Sequence, residues 1–265
     1  MSLFSWLQTQ LSLLLLAVLA AGPVPRHVAF EMDGNRRYAR KSGKRVEEGH
    51  TAGFYALRRV LEICMRLKVG CVTVYAFSIE NFNRSPAEVD ALMKLAEEKL
   101  REISRHGALL DKYGVRLNVL GNKSLLPPAV QAAVEEAEGL TRHNNKAVLN
   151  LCMPYTSRHE ITTAVESVVR HGLFSDGANV SKINEQTIDD HLMTSLVGTP
   201  PLDIFIRTSG VKRLSGFMQW QCCEHTQIQM IDTYWPDFGL SDLVPILLDY
   251  QRKVWTMGRT SAKAS

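Results

Sequence analysis

The stretch from His27 to Lys41, HVAFEMDGNRRYARK, contains the change of pattern that decides the predicted fold. It starts as a short apolar run, passes through Asp33-Gly34-Asn35 and then turns basic, which predicts a strand, a turn and the start of a helix. Such a junction gathers free backbone N–H groups, and a glycine there lets a ligand approach the backbone closely. The stretch therefore predicts a diphosphate pocket with Asp33 facing the phosphates, where a carboxylate would hold Mg²⁺. For this stretch alone, the alternative is a surface turn with a solvated basic face.

Strand and helix patterns alternate along the rest of the chain. Almost uniformly apolar runs predict buried strands, and apolar residues that recur at steps of three and four predict helices. After the first strand, further strands are predicted at 71–77, 115–120, 148–153, 203–206 and 228–231. Helices are predicted at 47–68, 85–106, 127–142, 157–168, 184–196 and 242–255. This alternation predicts an α/β fold with a mainly parallel sheet of about six strands flanked by helices.

Two of these helices begin with a serine that is followed three residues later by a glutamate. Ser85 with Glu88, and Ser157 with Glu160, predict capping boxes, in which the serine side chain accepts a hydrogen bond from the helix backbone. Both helices are therefore expected to begin at these serines.

Polar side chains follow the ends of three predicted strands, namely Asp33, Ser78 with Asn81, and Arg207. Because ligands of open parallel sheets bind beyond the carboxyl ends of the strands, these side chains are predicted to meet in one cleft. Arg207 and Arg213, together with the hydroxyl of Ser215, offer two fork-shaped donors that suit a second diphosphate. Two diphosphates in one cleft repel each other, so a cation is expected as well as the arginines.

The length and composition fit one domain with appendages. The chain has 265 residues, and its 31 basic and 27 acidic side chains give a net charge of +4. This charge is too small to argue for nucleic acid, and no basic run is interleaved with aromatic residues as a groove for single strands requires. The five cysteines form no C-x-x-C pair and lie mostly within apolar runs, so buried reduced thiols are expected.

The N-terminal segment differs from everything after it. From residue 11 to residue 21 nearly every side chain is that of Leu, Ala or Val, and Gly22-Pro23 ends the run. No basic residue precedes Arg26, unlike in a usual signal peptide, and the run is shorter than the roughly 20 residues that cross a bilayer. The favoured interpretation is a helix at a membrane surface or along a substrate tunnel. The alternatives are a signal-type or spanning anchor and ordinary packing on the domain.

Four segments resemble, in the same order, signature motifs of the cis-prenyltransferases, the family that makes undecaprenyl and dehydrodolichyl diphosphates. They are MDGNRRYA at 32–39, preceded by HVAF, and then YAFSIENFNR at 75–84, RTSGVKRLS at 207–215 and WPDF at 235–238. The resemblance is greatest to eukaryotic dehydrodolichyl diphosphate synthase catalytic subunits. We accordingly divide the chain into a membrane-associating segment at 1–25, a catalytic domain at 26–255 and a C-terminal tail at 256–265.

The resemblance also implies a hydrophobic tunnel that receives the growing hydrocarbon. In the family, helices from the region of 85–106 line this tunnel. The apolar stripe of that predicted helix, from Val89 to Ile103, is therefore interpreted either as core or as tunnel wall.

The reaction that the resemblance implies joins isopentenyl diphosphate to an allylic primer, farnesyl diphosphate, with Mg²⁺ as the cofactor. The product is a long-chain polyprenyl (dehydrodolichyl) diphosphate for dolichol and protein glycosylation. The implied catalytic residues are Asp33, which is also the metal ligand, Asn35, Ser78 and Asn81. The implied ligands of the allylic diphosphate are Gly34, Arg36, Arg37, His50 and Arg84. Those of isopentenyl diphosphate are Arg207, Arg213 and Ser215. The proton acceptor stays open, with the departing pyrophosphate as one candidate.

Several positions depart from the family's pattern. Glu31 stands where the family usually has an apolar residue, and by strand alternation it faces the same side as Asp33. It is therefore either a second carboxylate near the metal or a buried charge. Gly216 replaces the aspartate or asparagine that often follows the serine of the third motif. The metal-binding glutamate of bacterial members corresponds to Thr226 here, and Glu224 is two residues out of register.

The family's single-chain members contribute an Arg-x-Gly triplet across their dimer interface, and no such triplet follows Arg207. Eukaryotic members obtain it from a related non-catalytic subunit, so such a partner is expected here. The leading interpretation is a catalytic subunit at the cytosolic face of the endoplasmic reticulum membrane. The alternative is a catalytically impaired scaffold of the same fold. A generic nucleotide-binding protein is disfavoured because the glycine-rich fingerprint is absent.

Overall fold

A parallel β-sheet forms the centre of the molecule. The structure is a computed structural model that describes residues 3–174 and 183–261. The strands are β1 (His27–Glu31), β2 (Cys71–Tyr75), β3 (Val115–Leu120), β4 (Ala147–Cys152), β5 (Ile204–Arg207) and β6 (Gln227–Met230). Their order is β3-β4-β2-β1-β5-β6, and every neighbouring pair is parallel. This confirms the predicted α/β fold with a sheet of six strands.

Helices connect the strands in the described ranges. They include α1 (Leu3–Ala20), α2 (Asn35–Lys41), α3 (Val46–Arg66), α4 (Pro86–Ser104), α5 (Leu109–Tyr113), α6 (Pro128–Thr141), α7 (Ser157–Phe174) and α10 (Leu240–Ser261). Between 184 and 196 the prediction of one helix is wrong, because the chain forms two short helices, α8 (Glu185–Asp189) and α9 (Met193–Leu196). Leu192 adopts an extended backbone between them, and its side chain is buried.

The two predicted helix caps have different outcomes. Ser85 caps α4, since its hydroxyl accepts a hydrogen bond from the backbone of Glu88 at 3.4 Å. The prediction for Ser157 is wrong, because Thr156 occupies the capping position and accepts from the backbone N–H of His159 at 3.3 Å. Glu160 does not return to the backbone of the cap. Its carboxylate is buried and accepts a hydrogen bond from the hydroxyl of Tyr155 instead.

Helices and loops cover the sheet on both faces. Val28 and Phe30 of β1 belong to a large core that includes side chains of α3, α4, α6 and α10. Ala29, between them, packs on the opposite face with Phe205 and Phe217. Burial on both faces explains why the inner strands β1, β2 and β5 are mostly apolar. The edge strands β3 and β6 instead alternate apolar with polar side chains.

The sequence predicts buried, reduced thiols for the five cysteines. The structure buries Cys64, Cys71, Cys152 and Cys222, as expected, and exposes Cys223.

In the described residues, the C-terminal part of helix α1 contacts α10. Leu16 and Leu19 are buried, and the side chain of Gln251 donates to the backbone oxygen of Leu19 at 2.7 Å. Most other described apolar side chains of α1 are exposed, including Leu7, Leu11, Leu14 and Val18, while Ala20 is partly buried against the core. Among the described residues, no helix combines the length and apolar character needed to cross a membrane.

Trp235 closes the core at the end of β1. Its side chain is 1% exposed, its ring stacks on Phe238 at 5.7 Å, and its indole N–H donates to the backbone oxygen of Gly53 at 2.8 Å. Phe30 contacts both rings, with each centroid 5.8 Å away. This cluster therefore joins β1 to α3 directly behind the Asp33 turn.

Replacing Trp235 with alanine is expected to lower the free energy of unfolding by about 3–5 kcal/mol, because it leaves a large cavity and removes the indole hydrogen bond to Gly53. Trp255→Ala is the matched control, since that side chain is 54% exposed and its loss is expected to cost about 0.5 kcal/mol or less. Urea unfolding of both variants measures the difference. Equal losses would contradict this role for Trp235.

Candidate functional site

The carboxyl ends of three neighbouring strands meet at one edge of the sheet. Glu31, the last residue of β1, lies in register with Tyr75 of β2 and with Arg207 of β5. The segments that follow these strands line an open cleft of about 970 Å³, which we call the anion pocket. Its lining residues are Met32, Asp33, Gly34, Asn35, Arg36, Arg37, Arg40, His50, Arg84, Val211 and Arg213. Each of the three motifs contributes a side chain to this cleft, through Asp33, Arg84 and Arg213. Of the side chains predicted to meet there, Asp33 lines the cleft, whereas Ser78, Asn81 and Arg207 do not.

Gly34 makes the turn between β1 and α2 possible. Its φ of 103° lies in the left-handed region, and a Cβ there would lie 2.8 Å from the ring of Tyr234. The backbone N–H of Gly34 donates to Asp33 Oδ1 at 2.6 Å. The turn therefore fixes the Asp33 carboxylate at the floor of the anion pocket.

An ion pair between Asp33 and Arg207 connects the first motif to the third. Arg207 Nη2 lies 3.0 Å from Asp33 Oδ2, and Arg37 Nη2 lies 3.3 Å from the same oxygen. Burial opposes ionisation of Asp33, but the hydrogen bond from Arg207 and the two guanidinium charges outweigh it and hold the pKa of this carboxyl below its ordinary value. Asp33 is therefore a carboxylate at neutral pH.

Arg207 itself lies beneath the pocket rather than in its wall. Its side chain is 4% exposed, and its Nη1 donates to Ser215 Oγ at 2.6 Å and to the backbone oxygen of Arg213 at 2.5 Å. Arg213 Nε lies 3.2 Å from the same hydroxyl. The three residues predicted to bind isopentenyl diphosphate thus form one connected group, of which only Arg213 lines the anion pocket.

The structure explains how Glu31 and Gly216, which depart from the family's pattern, are accommodated. Glu31 pairs with Arg207 at 2.7 Å, and its side chain is buried. Burial raises the pKa of the Glu31 carboxyl to about 8, although Arg207 opposes the change. Gly216 has a φ of 77°, a left-handed conformation that glycine tolerates, as asparagine and aspartate also do more readily than other residues. Glu224 is exposed, and Thr226 bonds to the backbone of the loop.

Sequence reasoning missed two partners of Arg37. The guanidinium of Arg37 donates to Ser209 Oγ at 2.5 Å and to its backbone oxygen at 3.1 Å, and it lies 5.6 Å from the centre of the Tyr234 ring. Ser209 belongs to the third motif, so Arg37 ties the two motifs together a second time. No local signal in the sequence connects positions this far apart.

Glu88 is a further residue that the sequence reasoning did not place in the site. Its carboxylate lies 2.9 Å from Arg84, 3.8 Å from Arg36 and 3.9 Å from the ring of His50. Arg84 in turn donates to Asn81 Oδ1 at 2.9 Å. The spacing of four residues between Arg84 and Glu88 was the only sequence signal for this cluster, since Glu88 was assigned to the cap alone.

Like Asn81, Ser78 lies outside the anion pocket. It caps the short 3₁₀ helix Ile79–Asn83 by accepting a hydrogen bond from the backbone of Glu80 at 3.2 Å. It lines neither the anion pocket nor the apolar cavity described next. Its catalytic role therefore stays a prediction.

An apolar cavity of about 880 Å³, measured to its open mouth, adjoins the anion pocket. It lies between the sheet, α3 and α4, and shares Met32, Asn35 and His50 with the anion pocket. Its wall on α4 includes Leu92, Leu95, Ala96, Leu100 and Ile103. Both interpretations of the α4 stripe thus hold in part, because Met93 is buried in the core and does not line the cavity. No described residue of α1 lines it.

Several buried polar atoms at this cleft lack a hydrogen-bond partner within the described part of the chain. They are Asn35 Oδ1, His50 Nε2, Glu31 Oε2 and Arg207 Nε. Buried polar groups are normally paired, so unpaired ones at a cleft indicate a place where a ligand or solvent completes the bonding. Asn35 and His50 lie where the two cavities meet.

The residues of the anion pocket can bind Mg²⁺ through a single carboxylate. No group of three or more metal-ligating side chains occurs among the described residues. Mg²⁺, however, usually binds through one or two carboxylates plus the phosphates of a substrate. Asp33 is ionised, partly exposed and surrounded by the basic residues of the anion pocket, so it can serve as that single carboxylate.

The site as a whole suits an elongated molecule with an anionic head and a hydrocarbon tail. Arginines crowd one end, and aliphatic and aromatic side chains line the other. Such an arrangement defines a protein that handles isoprenoid diphosphates or similar amphiphiles.

Comparison with known proteins identifies the family. The family model for putative undecaprenyl diphosphate synthase matches residues 32–258. A dehydrodolichyl diphosphate synthase complex subunit of Schizosaccharomyces pombe is 46% identical over 247 residues, which cover 93% of this chain and 92% of that protein. A dehydrodolichyl diphosphate synthase complex subunit of Homo sapiens is 43% identical over 237 residues, covering 88% of this chain and 69% of that one.

A solved structure supports the same family assignment. The crystal structure of lavandulyl diphosphate synthase from Lavandula x intermedia, in complex with dimethylallyl diphosphate, has a TM-score of 0.77 and 34% identity to this chain. The match covers 86% of this chain and 95% of the lavandulyl diphosphate synthase chain. The chain therefore belongs to the cis-prenyltransferase family, as its four motifs predicted.

The ring of His50 reports on charge in the anion pocket. Burial, with a further contribution from Arg84, lowers the pKa of His50 to about 4. The ring is therefore neutral in the folded protein at pH 6, and stability falls as the pH drops from about 6.5 towards 4, because the unfolded chain binds the proton more readily.

NMR titration of the His50 ring is expected to give a midpoint near pH 4 in the free protein. Arg84→Gln is expected to raise it, because a neighbouring cation is removed, and bound pyrophosphate is expected to raise it further by adding negative charge. A midpoint at the ordinary histidine value in the free protein would contradict this electrostatic picture of the pocket.

Proposed function

We propose that this chain elongates cis-polyprenyl diphosphates by joining isopentenyl diphosphate to an allylic primer such as farnesyl diphosphate. The observation that carries the proposal is the junction of the anion pocket with the apolar cavity at Met32, Asn35 and His50. A prenyl diphosphate needs both environments within one molecule's length. The product would be a long-chain polyprenyl diphosphate of the dehydrodolichyl type, the type that the Schizosaccharomyces pombe and human relatives are named for.

In this proposal the anion pocket binds the diphosphate of the primer. Gly34 presents its backbone, and Arg36, Arg37 and Arg84 present positive charge. Glu88 holds Arg84 and Arg36 on one side, while Ser209 holds Arg37 on the other. The arginines are therefore fixed before the ligand arrives, which lowers the entropy lost on binding.

The second diphosphate belongs to isopentenyl diphosphate and lies near Arg207, Arg213 and Ser215. These residues share one hydroxyl and are anchored to the end of β5. Since Arg207 also contacts Asp33, the two diphosphate sites meet at one carboxylate.

We propose Mg²⁺ as the cofactor, with Asp33 as its protein ligand. Bound Mg²⁺ supplies positive charge that neutralises the diphosphates and stabilises pyrophosphate as it leaves. Asp33 supplies an ionised carboxylate for this purpose, because its pKa is held below the ordinary value.

The chemistry breaks the allylic C–O bond of the primer, releases pyrophosphate and forms a C–C bond with the double bond of isopentenyl diphosphate. Loss of one proton then gives the new cis double bond. The chain's own residues hold both diphosphates and keep the hydrocarbon in the apolar cavity away from water. Asn81, through its bond to Arg84, orients the primer site, while Ser78 and the departing pyrophosphate stay candidates for assisting proton removal.

A catalytically impaired scaffold is not favoured by this arrangement. Glu31 and Gly216 were the reasons for considering it, and both are accommodated without displacing Asp33 or Arg213 from the pocket. A scaffold also has no need of an apolar cavity that opens beside fixed arginines.

We further propose that the chain works with a related non-catalytic subunit that supplies an Arg-x-Gly tail. The relatives from Schizosaccharomyces pombe and human are each named as a subunit of a synthase complex, which supports this proposal.

We also propose that α1 attaches the chain to the cytosolic face of the endoplasmic reticulum membrane. A helix with many exposed apolar side chains favours an apolar environment, and most of the described apolar side chains of α1 are exposed.

Asp33→Asn is expected to reduce incorporation of labelled isopentenyl diphosphate into long polyprenyl product by about 100-fold or more, the loss expected when a stabiliser of developing charge is removed. The assay contains farnesyl diphosphate and Mg²⁺, with and without a candidate partner subunit. Asp90→Asn on the exposed side of α4 is the control and is expected to keep its activity.

The result that rejects the enzyme is folded wild-type protein that makes no product in either condition. Undiminished activity of the Asp33 variant would remove the metal site from the proposal. Full activity of the purified chain alone would contradict the requirement for a partner.

The membrane proposal is tested by flotation with phosphatidylcholine vesicles. The double variant Leu11→Asp, Leu14→Asp alters side chains that are 68% and 62% exposed, so the fold should persist. It is expected to reduce vesicle binding by about tenfold or more, because two apolar contacts with the lipid are lost. Leu140→Asp, at a position 57% exposed on α6, is the matched control. Equal binding of all three proteins would contradict attachment through α1.

A further inference from the structure

Glu31 is an acidic residue placed directly against the second diphosphate site. It lies in register with Arg207, and the two residues are 6% and 3% exposed. Glu31 Oε1 is 2.7 Å from Arg207 Nη1, while Oε2 is buried without a protein partner. A carboxyl group in this position has no obvious part in binding an anion, so its effect on Arg207 has to be worked out from the bonds.

The nitrogen Nη1 of Arg207 has more acceptors than hydrogens. It carries two N–H groups, as in any guanidinium. Three oxygens lie within bonding distance of it, namely Glu31 Oε1 at 2.7 Å, Ser215 Oγ at 2.6 Å and the backbone oxygen of Arg213 at 2.5 Å. Without Glu31, two acceptors would remain for the two N–H groups. Glu31 is therefore a surplus acceptor and is not needed to satisfy Nη1.

Glu31 is also not needed to hold the guanidinium in place. Nη2 of Arg207 keeps its bond to Asp33 at 3.0 Å, and Nη1 keeps Ser215 and the Arg213 backbone. Loss of Glu31 would thus leave Arg207 both anchored and paired with a carboxylate. The usual penalty for breaking a buried ion pair, an uncompensated charge, would not arise.

Glu31 instead occupies a position beside Arg207 Nη1 that a diphosphate oxygen could otherwise take. With Glu31 and Asp33 both against it, Arg207 is shared between two carboxyl groups before any ligand arrives. We propose that Glu31 is an internal competitor for Arg207 that lowers the affinity of the second diphosphate site. Identifying the ligand of that site as isopentenyl diphosphate rests on the proposed function.

The effect should be confined to the second site. The arginines of the primer site have other partners, since Arg37 is held by Ser209, and Arg36 and Arg84 by Glu88. A change at position 31 therefore predicts a change in the KM for isopentenyl diphosphate with little change in the KM for the primer or in kcat.

The experiment compares Glu31→Gln, which keeps the shape and an acceptor oxygen but cannot ionise, with Glu31→Ile, which removes the acceptor altogether. Glu135→Gln, at an exposed position on α6, is the control for loss of one charge. Steady-state kinetics at saturating farnesyl diphosphate give the KM for isopentenyl diphosphate, and calorimetry with inorganic pyrophosphate gives a Kd that requires no turnover. Thermal unfolding verifies that each variant is folded.

The KM for isopentenyl diphosphate and the Kd for pyrophosphate are expected to fall about five- to tenfold in Glu31→Ile and by a smaller factor in Glu31→Gln, the size expected when one competing polar contact to a cation is removed. The control should stay within about twofold of wild type. If Glu31→Ile does not fold, Glu31→Gln decides the question through the same two measurements.

Unchanged constants in the folded variants overturn the proposal. A KM that rises in Glu31→Ile and returns to the wild-type value in Glu31→Gln also overturns it, because that pattern identifies Glu31 as a positioning residue for Arg207. Tighter pyrophosphate binding in both variants, without polyprenyl synthesis by any of the proteins, would reject the proposed function and leave the competition at Arg207 standing.

Discussion

The ion pair between Asp33 and Arg207 is the contact on which the rest of the site depends. It joins the turn after β1 to the end of β5 across 174 positions of sequence. The pair brings the first and third motifs to one point, and Arg37 reinforces the link through Ser209. Because the pair also keeps Asp33 ionised, the same contact that closes the fold prepares the carboxylate for its chemistry.

The second constraint is the boundary between charged and apolar surface. Basic side chains near the strand ends form the anion pocket, and side chains of the sheet, α3 and α4 line the apolar cavity beside it. Asn35 and His50 stand at this boundary with polar atoms that have no protein partner. Burial keeps the His50 ring neutral by lowering its pKa, so it adds no charge at the mouth of the hydrocarbon cavity. The arrangement provides separate environments for an anionic head and a hydrocarbon tail.

Sequence patterns were sufficient for the sheet, because continuous apolar runs record burial on both faces. They were also sufficient to bring Asp33, Asn81 and Arg207 to one edge, since strand ends in a parallel sheet share a direction. Contacts that depend on side-chain direction were not readable. The sequence predicts that the Glu88 side chain belongs to a helix cap, but its carboxylate pairs with Arg84. The cap predicted at Ser157 is formed by the preceding residue, Thr156. The roles of the diphosphate ligands came from resemblance to a family, because local pattern alone also fitted a solvated basic turn.

The most direct test of this account is a crystal structure of the chain with Mg²⁺, isopentenyl diphosphate and an unreactive thiodiphosphate analogue of farnesyl diphosphate. The account predicts the analogue's diphosphate among Gly34, Arg36, Arg37 and Arg84, its hydrocarbon between α3 and α4, and the second diphosphate beside Arg207 and Arg213. A hydrocarbon bound outside the apolar cavity, or a diphosphate remote from Asp33, would contradict the central claim that the two cavities hold the two ends of one substrate.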